Sequence, residues 1–184
     1  DVKELLAAEG FDKDSEERLV LSAGRLHGYK QVERIVEAMP YLPANYVLAV
    51  VGDGPARSNI RQIAGRLRVD TRLHILGEVP RKTLCAWYRT ADLFVALSRH
   101  ESFGMTLLEA AVGGAAIIAS EIPAHKEVAR YLSPDVVRFV NPDCSPLELA
   151  DALRQAAHQQ RSIDMEDWSL PTWDGMVDGA VDCY

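Results

Sequence analysis

Leu19-Val20-Leu21-Ser22-Ala23-Gly24 opens the passage whose rhythm decides the fold. A run of apolar and small residues closed by glycine reads as a buried strand, too apolar to have one face in water. Val32, Ile35, Val36 and Met39 then recur at i, i+3, i+4 and i+7, one face of a helix. Tyr46–Val51 is the next strand, closed by Gly52-Asp53-Gly54-Pro55, and Ile60, Ile63, Ala64 and Leu67 repeat the helical spacing. The alternation continues with strands at Leu73–Gly77, Asp92–Leu97, Ala116–Ala119 and Val136–Val140. Helices are expected between them over Lys82–Thr90, Gly104–Val112 and Ala124–Tyr131. Ser145-Pro146-Leu147-Glu148 is a capping box with proline at the first helical position, starting a helix to about Gln159. An amphipathic segment, Trp173–Tyr184, closes the chain, and Asp1–Glu17 reads as a short helix and linker.

Six strands alternating with helices predict a Rossmann-like, doubly wound parallel α/β domain over residues 18–184, with residues 1–17 as a lead-in. In such sheets ligands bind beyond the carboxyl ends of the strands, where the strand order reverses. The strand-to-helix loops therefore carry the chemistry: 24–30, 52–56, 77–81, 98–104 and 120–124.

Composition narrows the classes. The chain has 184 residues, 48% hydrophobic and 26% charged, enough for one domain with a proper core. A net charge of −7 argues against a nucleic-acid-binding module. Cys85, Cys144 and Cys183 are odd in number and widely spaced, so neither a disulfide framework nor a zinc knuckle is indicated, and a reducing, cytoplasmic setting fits best. No charge-free apolar stretch reaches the roughly 18–20 residues of a membrane span, and no signal peptide is visible. A chain starting at Asp1 without methionine reads as a piece of something longer.

Two carboxylates stand out. Glu109 is the single charge in the apolar and small-residue run Phe103–Ala119, and Glu101 lies in the loop entering that run. Among Leu107, Leu108, Ala110 and Ala111, Glu109 should sit largely out of water, and an unpaired buried carboxylate costs several kcal/mol. In the first loop, Gly24 permits close backbone approach, while Arg25 and Lys30 supply a fork donor and a point charge suited to a diphosphate. Ser102-Phe103-Gly104-Met105-Thr106 enters a helix, whose free amides suit a phosphate unless Ser102 caps them.

Other features are weaker. Gly52-Asp53-Gly54 begins like a dinucleotide fingerprint, but Arg57 replaces the third glycine, and a turn with Pro55 at the helix start is the better account. Asp12-Lys13-Asp14 spells a metal–sugar-nucleotide motif in a polar linker with no strand before it. His100 borders Glu101, and His27 reads as a loop residue. His125 and Glu127 read as a cap and a solvated charge at a helix start. No grouping has metal-ligand spacing.

Taken in order, Gly24-Arg25, Lys30, Gly52-Asp53-Gly54-Pro55, Leu76-Gly77, Ala91-Asp92, Ser98, Glu101-Ser102-Phe103-Gly104 and Glu109-Ala110 resemble one family. The chain is similar to the C-terminal, donor-binding half of a GT-B-fold retaining glycosyltransferase of the large family-4 type, over roughly Arg18–Tyr184. The resemblance implies a nucleotide-sugar donor and no obligatory metal or other cofactor. It implies that Arg25 and Lys30 grip the diphosphate and that amides around Phe103, Gly104, Met105 and Thr106 cradle phosphate and sugar. It implies that Glu101 bonds sugar hydroxyls, Glu109 the ribose diol, and that the base lies against Gly77-Glu78-Val79. The acceptor would bind an N-terminal domain absent here, with any peripheral membrane contact at the cytoplasmic face made through that half. The Trp173–Tyr184 helix would cross back toward it, or pair with a second copy of the chain. The isolated domain is then expected to bind nucleotide weakly and transfer essentially nothing.

Leu97 and Ala116 stand where that family usually has proline, and Pro123-Ala124 where it has a glycine pair near the sugar. The rival readings are a non-catalytic nucleotide-binding scaffold and a sugar-nucleotide epimerase of the same fold.

Overall fold

The computed structural model describes residues 2–8, 10–13 and 16–157. The expected closing helix at Trp173–Tyr184 lies outside the described residues, as do Asp14 and Cys183.

After α1 (Val2–Ala8) the chain alternates β1 (Arg18–Ala23), α2 (Val32–Ala38), β2 (Tyr46–Val51), α3 (Arg57–Leu67), β3 (Leu73–Gly77) and α4 (Arg81–Thr90). It continues through β4 (Leu93–Ala96), α5 (Met105–Gly113), β5 (Ala116–Ser120), α6 (Pro123–Ala129), β6 (Val137–Val140) and α7 (Pro146–Ala157). The strands form one sheet in the order β3-β2-β1-β4-β5-β6, every neighbouring pair parallel. The Rossmann-like, doubly wound expectation therefore holds.

Strand periodicity explains how both faces are filled. Val20, Leu48, Val50, Leu93, Val95 and Ile118 point to the layer containing α2, α3 and α7. Leu19, Leu21, Val47, Ala49, Phe94 and Ile117 point to the opposite layer with α1, α4, α5 and α6. Most of these side chains are fully buried, and each contributes about 1.5–3 kcal/mol relative to exposure.

The lead-in is tied to the rim of the sheet away from the strand-exit loops. Phe11 packs on the fully buried Trp87 with ring centroids 4.9 Å apart. Lys13 donates to the Asp92 carboxylate at 2.6 Å, at the start of β4. That spends the middle of Asp12-Lys13-Asp14 on anchoring, far from the loops beyond the strands' carboxyl ends. The capping box forms as expected: the Ser145 amide donates to Glu148 at 2.6 Å, and the Glu148 amide to Ser145 Oγ at 3.2 Å.

One expected boundary is corrected. Helix α3 begins at Arg57 with Ala56 as its N-cap, not at Pro55. The Ala56 amide donates to Leu26 O at 2.9 Å, so a tertiary bond to the first loop holds this turn outside the helix.

Candidate functional site

Strands β1 and β4 are neighbours in the sheet, but their following helices, α2 and α5, cross to opposite faces. That is the switch point. The two strands are in register at Val20–Leu93 and Leu21–Phe94. Beyond these pairs a crevice opens, lined by Ser22, Gly24, Arg25, Lys30, Ser98, Glu101 and Thr106.

The first loop is held down by the second. Gly24 N donates to Val51 O and Leu26 N to Asp53 O, each at 2.9 Å. Contact is so close that a Cβ on Gly52, whose φ is +123°, would lie 2.0 Å from Gly24 O. Gly52 N donates in turn to Gly77 O at 2.7 Å, tying in the third loop. The Gly52-Asp53-Gly54 sequence thus serves backbone packing rather than a dinucleotide. Asp53 accepts from Gly54 N at 2.7 Å and Arg57 Nη1 at 2.5 Å, which holds its carboxyl below the usual range.

The structure brings together Lys30 and Glu101, which the sequence had assigned to separate tasks. The Lys30 ammonium donates to Glu101 Oε1, and the Ser98 hydroxyl donates to the same oxygen at 2.8 Å. Both charged side chains are mostly buried, 18% and 13% exposed. A backbone bond from Arg99 N to Tyr29 O, 2.8 Å, clamps the two loops beside this pair. Arg25 lines the same crevice and is exposed, its guanidinium without a hydrogen bond or ion pair among the described residues. Lys30 is turned onto Glu101, a pairing that the expectation for Arg25 and Lys30 did not include.

Helix α5 starts without a side-chain cap. Its N-cap is Gly104, left-handed at φ +94°, and Ser102, the alternative cap, is an exposed loop residue. The first amides of α5 and its positive end are left available to an anion. Phe103 and Met105 flank this end, each 36% exposed.

Behind it lies His125, and here too the sequence reading is overturned. His125 is completely buried, not a cap, because α6 starts two residues earlier at Pro123 and turns the imidazole inward. Nδ1 faces Ser120 O at 2.9 Å and Ser120 Oγ at 3.2 Å, while Ser120 Oγ also bonds Ser98 O. Nε2 is buried without a partner among the described residues. Desolvation lowers the pKa of His125 and keeps it neutral. A Cβ on Gly104 would sit 3.3 Å from the His125 ring. His100 and Glu127 are exposed, and His27 stacks on Tyr29 with centroids 5.6 Å apart.

Glu109 lies mostly out of water, as expected, and is not left unpaired. Its side chain is 24% exposed and already has partners: Tyr88 Oη donates to Oε2 at 2.9 Å, and Arg81 Nη1 lies 3.9 Å from Oε1. It borders an open cleft of about 310 Å³, lined also by Gly24, Gly52, Glu78, Val79, Tyr88 and Thr106. Gly77 underlies that cleft at φ +76°, its α-carbon facing the Arg57 guanidinium. The cleft and the crevice share Gly24 and Thr106, so together they form one continuous site above the sheet. Among the described residues no cluster of His, Cys, Asp and Glu could hold a metal ion.

The glycosyl transferases group 1 family is matched over residues 6–169. The chain belongs to that family. This group 1 chain is 30% identical over 139 residues to a D-inositol 3-phosphate glycosyltransferase of Xylanimonas cellulosilytica, covering 73% of itself and 33% of that protein. It superposes on the C-terminal domain of a group 1 family protein (LpcC) from Francisella tularensis with a TM-score of 0.70 at 20% identity, covering 86% of this chain and 83% of that one. It also superposes on Anabaena HepE, solved in complex with UDP and glucose, with a TM-score of 0.76 at 18% identity, covering all of this chain and 52% of HepE. These likenesses show the sheet to be that of a C-terminal GT-B domain. The chain spans about a third of the length of the curated relatives it matches.

Ser98, Tyr88 and His125 are the residues that sequence reasoning missed or misplaced. Ser98 carried a weak signal, closing a strand at the switch point. Tyr88 carried none, since its link to Glu109 spans 21 residues and two helices.

Proposed function

We propose that this chain is the donor-binding domain of a retaining glycosyltransferase that moves a sugar from a nucleoside diphosphate sugar to an acceptor hydroxyl on a glycan or lipid. The observation that carries this reading is the cluster of Lys30, Glu101 and the uncapped start of α5 around one crevice at the switch point. The cleft running from it to Glu109, Glu78 and Val79 has the extent a nucleoside needs. HepE, whose fold is shared, was solved with UDP and glucose, which supports a nucleotide-sugar in this place.

In this reading the diphosphate lies across the first amides of α5, and Arg25 and Lys30 face its oxygens. An ammonium has three protons, so Lys30 can keep Glu101 while donating to phosphate. Glu101 then receives sugar hydroxyls, and Glu109 receives the ribose diol. In a front-face transfer the acceptor oxygen bonds to the anomeric carbon as the bond from that carbon to the phosphate oxygen breaks. The acceptor's proton passes to the departing phosphate. Arg25 and Lys30 stabilise the charge growing on that phosphate, the kind of electrostatic contribution whose loss typically costs about 10²–10³ in rate. No metal is required, because the two cations and the helix end oppose the diphosphate.

The acceptor is supplied by an N-terminal domain in cis, at the cytoplasmic face of a membrane for a lipid acceptor. The 184-residue chain alone binds nucleotide and does not turn over, since the orientation of acceptor against donor is missing. The test is an amide-detected NMR titration with UDP, GDP and ADP. Saturable shifts at 24–30, 77–81 and 103–109 are expected. Absence of binding by all three at millimolar concentration, in the folded chain and again in the full-length protein, would sink the proposal.

A further inference from the structure

The two partners of Glu109 are unlike in kind. Tyr88 is 3% exposed, its ring tilted against Phe94 with centroids 5.7 Å apart, so its hydroxyl has one direction available. That hydroxyl donates to Oε2 at 2.9 Å. Helices α4 and α5 approach closely enough for this because residue 113 is glycine: a Cβ there would lie 2.5 Å from Tyr88 O. Burial first, and then the charge of Glu109, push the Tyr88 hydroxyl far above its ordinary range, so it stays a donor at every working pH. Arg81, by contrast, is 68% exposed and 3.9 Å from Oε1, a long side chain that a ligand can displace or join.

We propose that Tyr88 is a positioning residue that aims the Glu109 carboxylate at the ribose diol and thereby sets a preference for ribonucleotides over 2′-deoxyribonucleotides. This rests on the donor-site reading given above. A glutamate with free torsions must give up its rotamers when a ligand binds, whereas one held beforehand does not. The holder must also leave the charge intact. A cation in the place of Tyr88 would compete with the weakly acidic hydroxyls of a sugar, as Lys30 does at Glu101. A neutral phenol fixes Oε2 and leaves Oε1 for the diol, with only the exposed Arg81, 3.9 Å away, beside it.

The experiment is calorimetric titration of the chain and of Tyr88→Phe with UDP and GDP and with their 2′-deoxy counterparts. The unsubstituted chain is expected to bind the ribose forms more tightly. Tyr88→Phe should bind them about tenfold more weakly while its affinity for the 2′-deoxy forms changes little, so the ratio collapses. A general packing defect would weaken both classes equally. If Tyr88→Phe keeps the original ratio, the proposal fails and the donor site stands. If the unsubstituted chain binds none of the four, or binds ribose and deoxyribose forms alike, the ribose role of Glu109 falls and the proposal falls with it. Incorporating 4-aminophenylalanine at position 88, which restores a donor, should restore the ratio. Incorporating 4-fluorophenylalanine fills the volume without donating and repeats the test should the Phe variant fail to fold.

Discussion

Glu101 receives a cation, Lys30, together with the Ser98 hydroxyl, whereas Glu109, seven intervening residues further along, receives the neutral Tyr88 hydroxyl at 2.9 Å. The first carboxylate lies between two loops held by backbone contacts from neighbouring strands. The second lies on a helix and is braced by the adjacent helix. Glu101 is paired in place at 13% exposure, while Glu109 lies nearer water at 24%. The same residue type is thus set up as half of a mostly buried ion pair at one end of the site and as an acceptor braced by a phenol at the other.

The sharpest way to break this contrast is through the backbone beneath Glu101. Gly52→Ala would drive a methyl group into Gly24 O, and a loss of about 4 kcal/mol is expected in urea denaturation. It should disorganise the first loop while leaving the Tyr88–Glu109 bond in place, which NMR of α4 and α5 would report. Next is Lys30→Ala, which strands a mostly buried carboxylate and should cost about 3 kcal/mol. The double variant Lys30→Met/Glu101→Leu should recover more than half of that, since two apolar side chains avoid the desolvation of both ions. A cost below about 1 kcal/mol for Lys30→Ala would show that the pair behaves as a surface one.

Tyr88→Phe is expected to be milder, about 1.5 kcal/mol, the usual value for a hydrogen bond to a charged group, because Glu109 can turn toward water and Arg81. The shallowest effect is with pH. Burial lowers the folded-state pKa of His125 and of His74, so the unfolded chain binds more protons as pH falls through its own histidine value, about 6.5. Stability from this source is complete above that pH and declines below it. Urea midpoints at pH 7.5 and 5 should differ, and less so in His74→Gln/His125→Asn. Glu101 raises the His125 value and Lys30 lowers it, so removing Lys30 should bring the folded-state value nearer the unfolded one and make the decline smaller. Identical midpoints at the two pH values in the unsubstituted chain would refute this account.

Much of this was legible in the chain because a doubly wound sheet is written in apolar runs closed by glycine, as at Leu19–Gly24 and Tyr46–Val51. The individual groups were legible as well: Arg25, Lys30, Glu101 and Glu109 all border the site. Their partnerships were not. That Lys30 meets Glu101 depends on β1 lying beside β4, and alternation of strands and helices does not give strand order. The residual exposure of Glu109, 24%, follows its helical neighbours and not its sequence neighbours. Met105 and Val112, four and three residues away on the same face, are 36% and 56% exposed, and Glu109 sits on their stripe. His125 was misplaced because a polar residue near a helix start resembles a cap until the direction of the helix is known.

The contact between Gly24 and Gly52 also constrains how this domain can be redesigned. Where one loop's carbonyl occupies the volume of another residue's missing side chain, the two loops form a single unit of variation. A combinatorial library meant to change sugar preference should therefore freeze positions 24, 52 and 54 and spend its diversity on residues 121–124 and Phe103. Randomising the first loop alone would fill the library with variants that fail before their specificity could be measured.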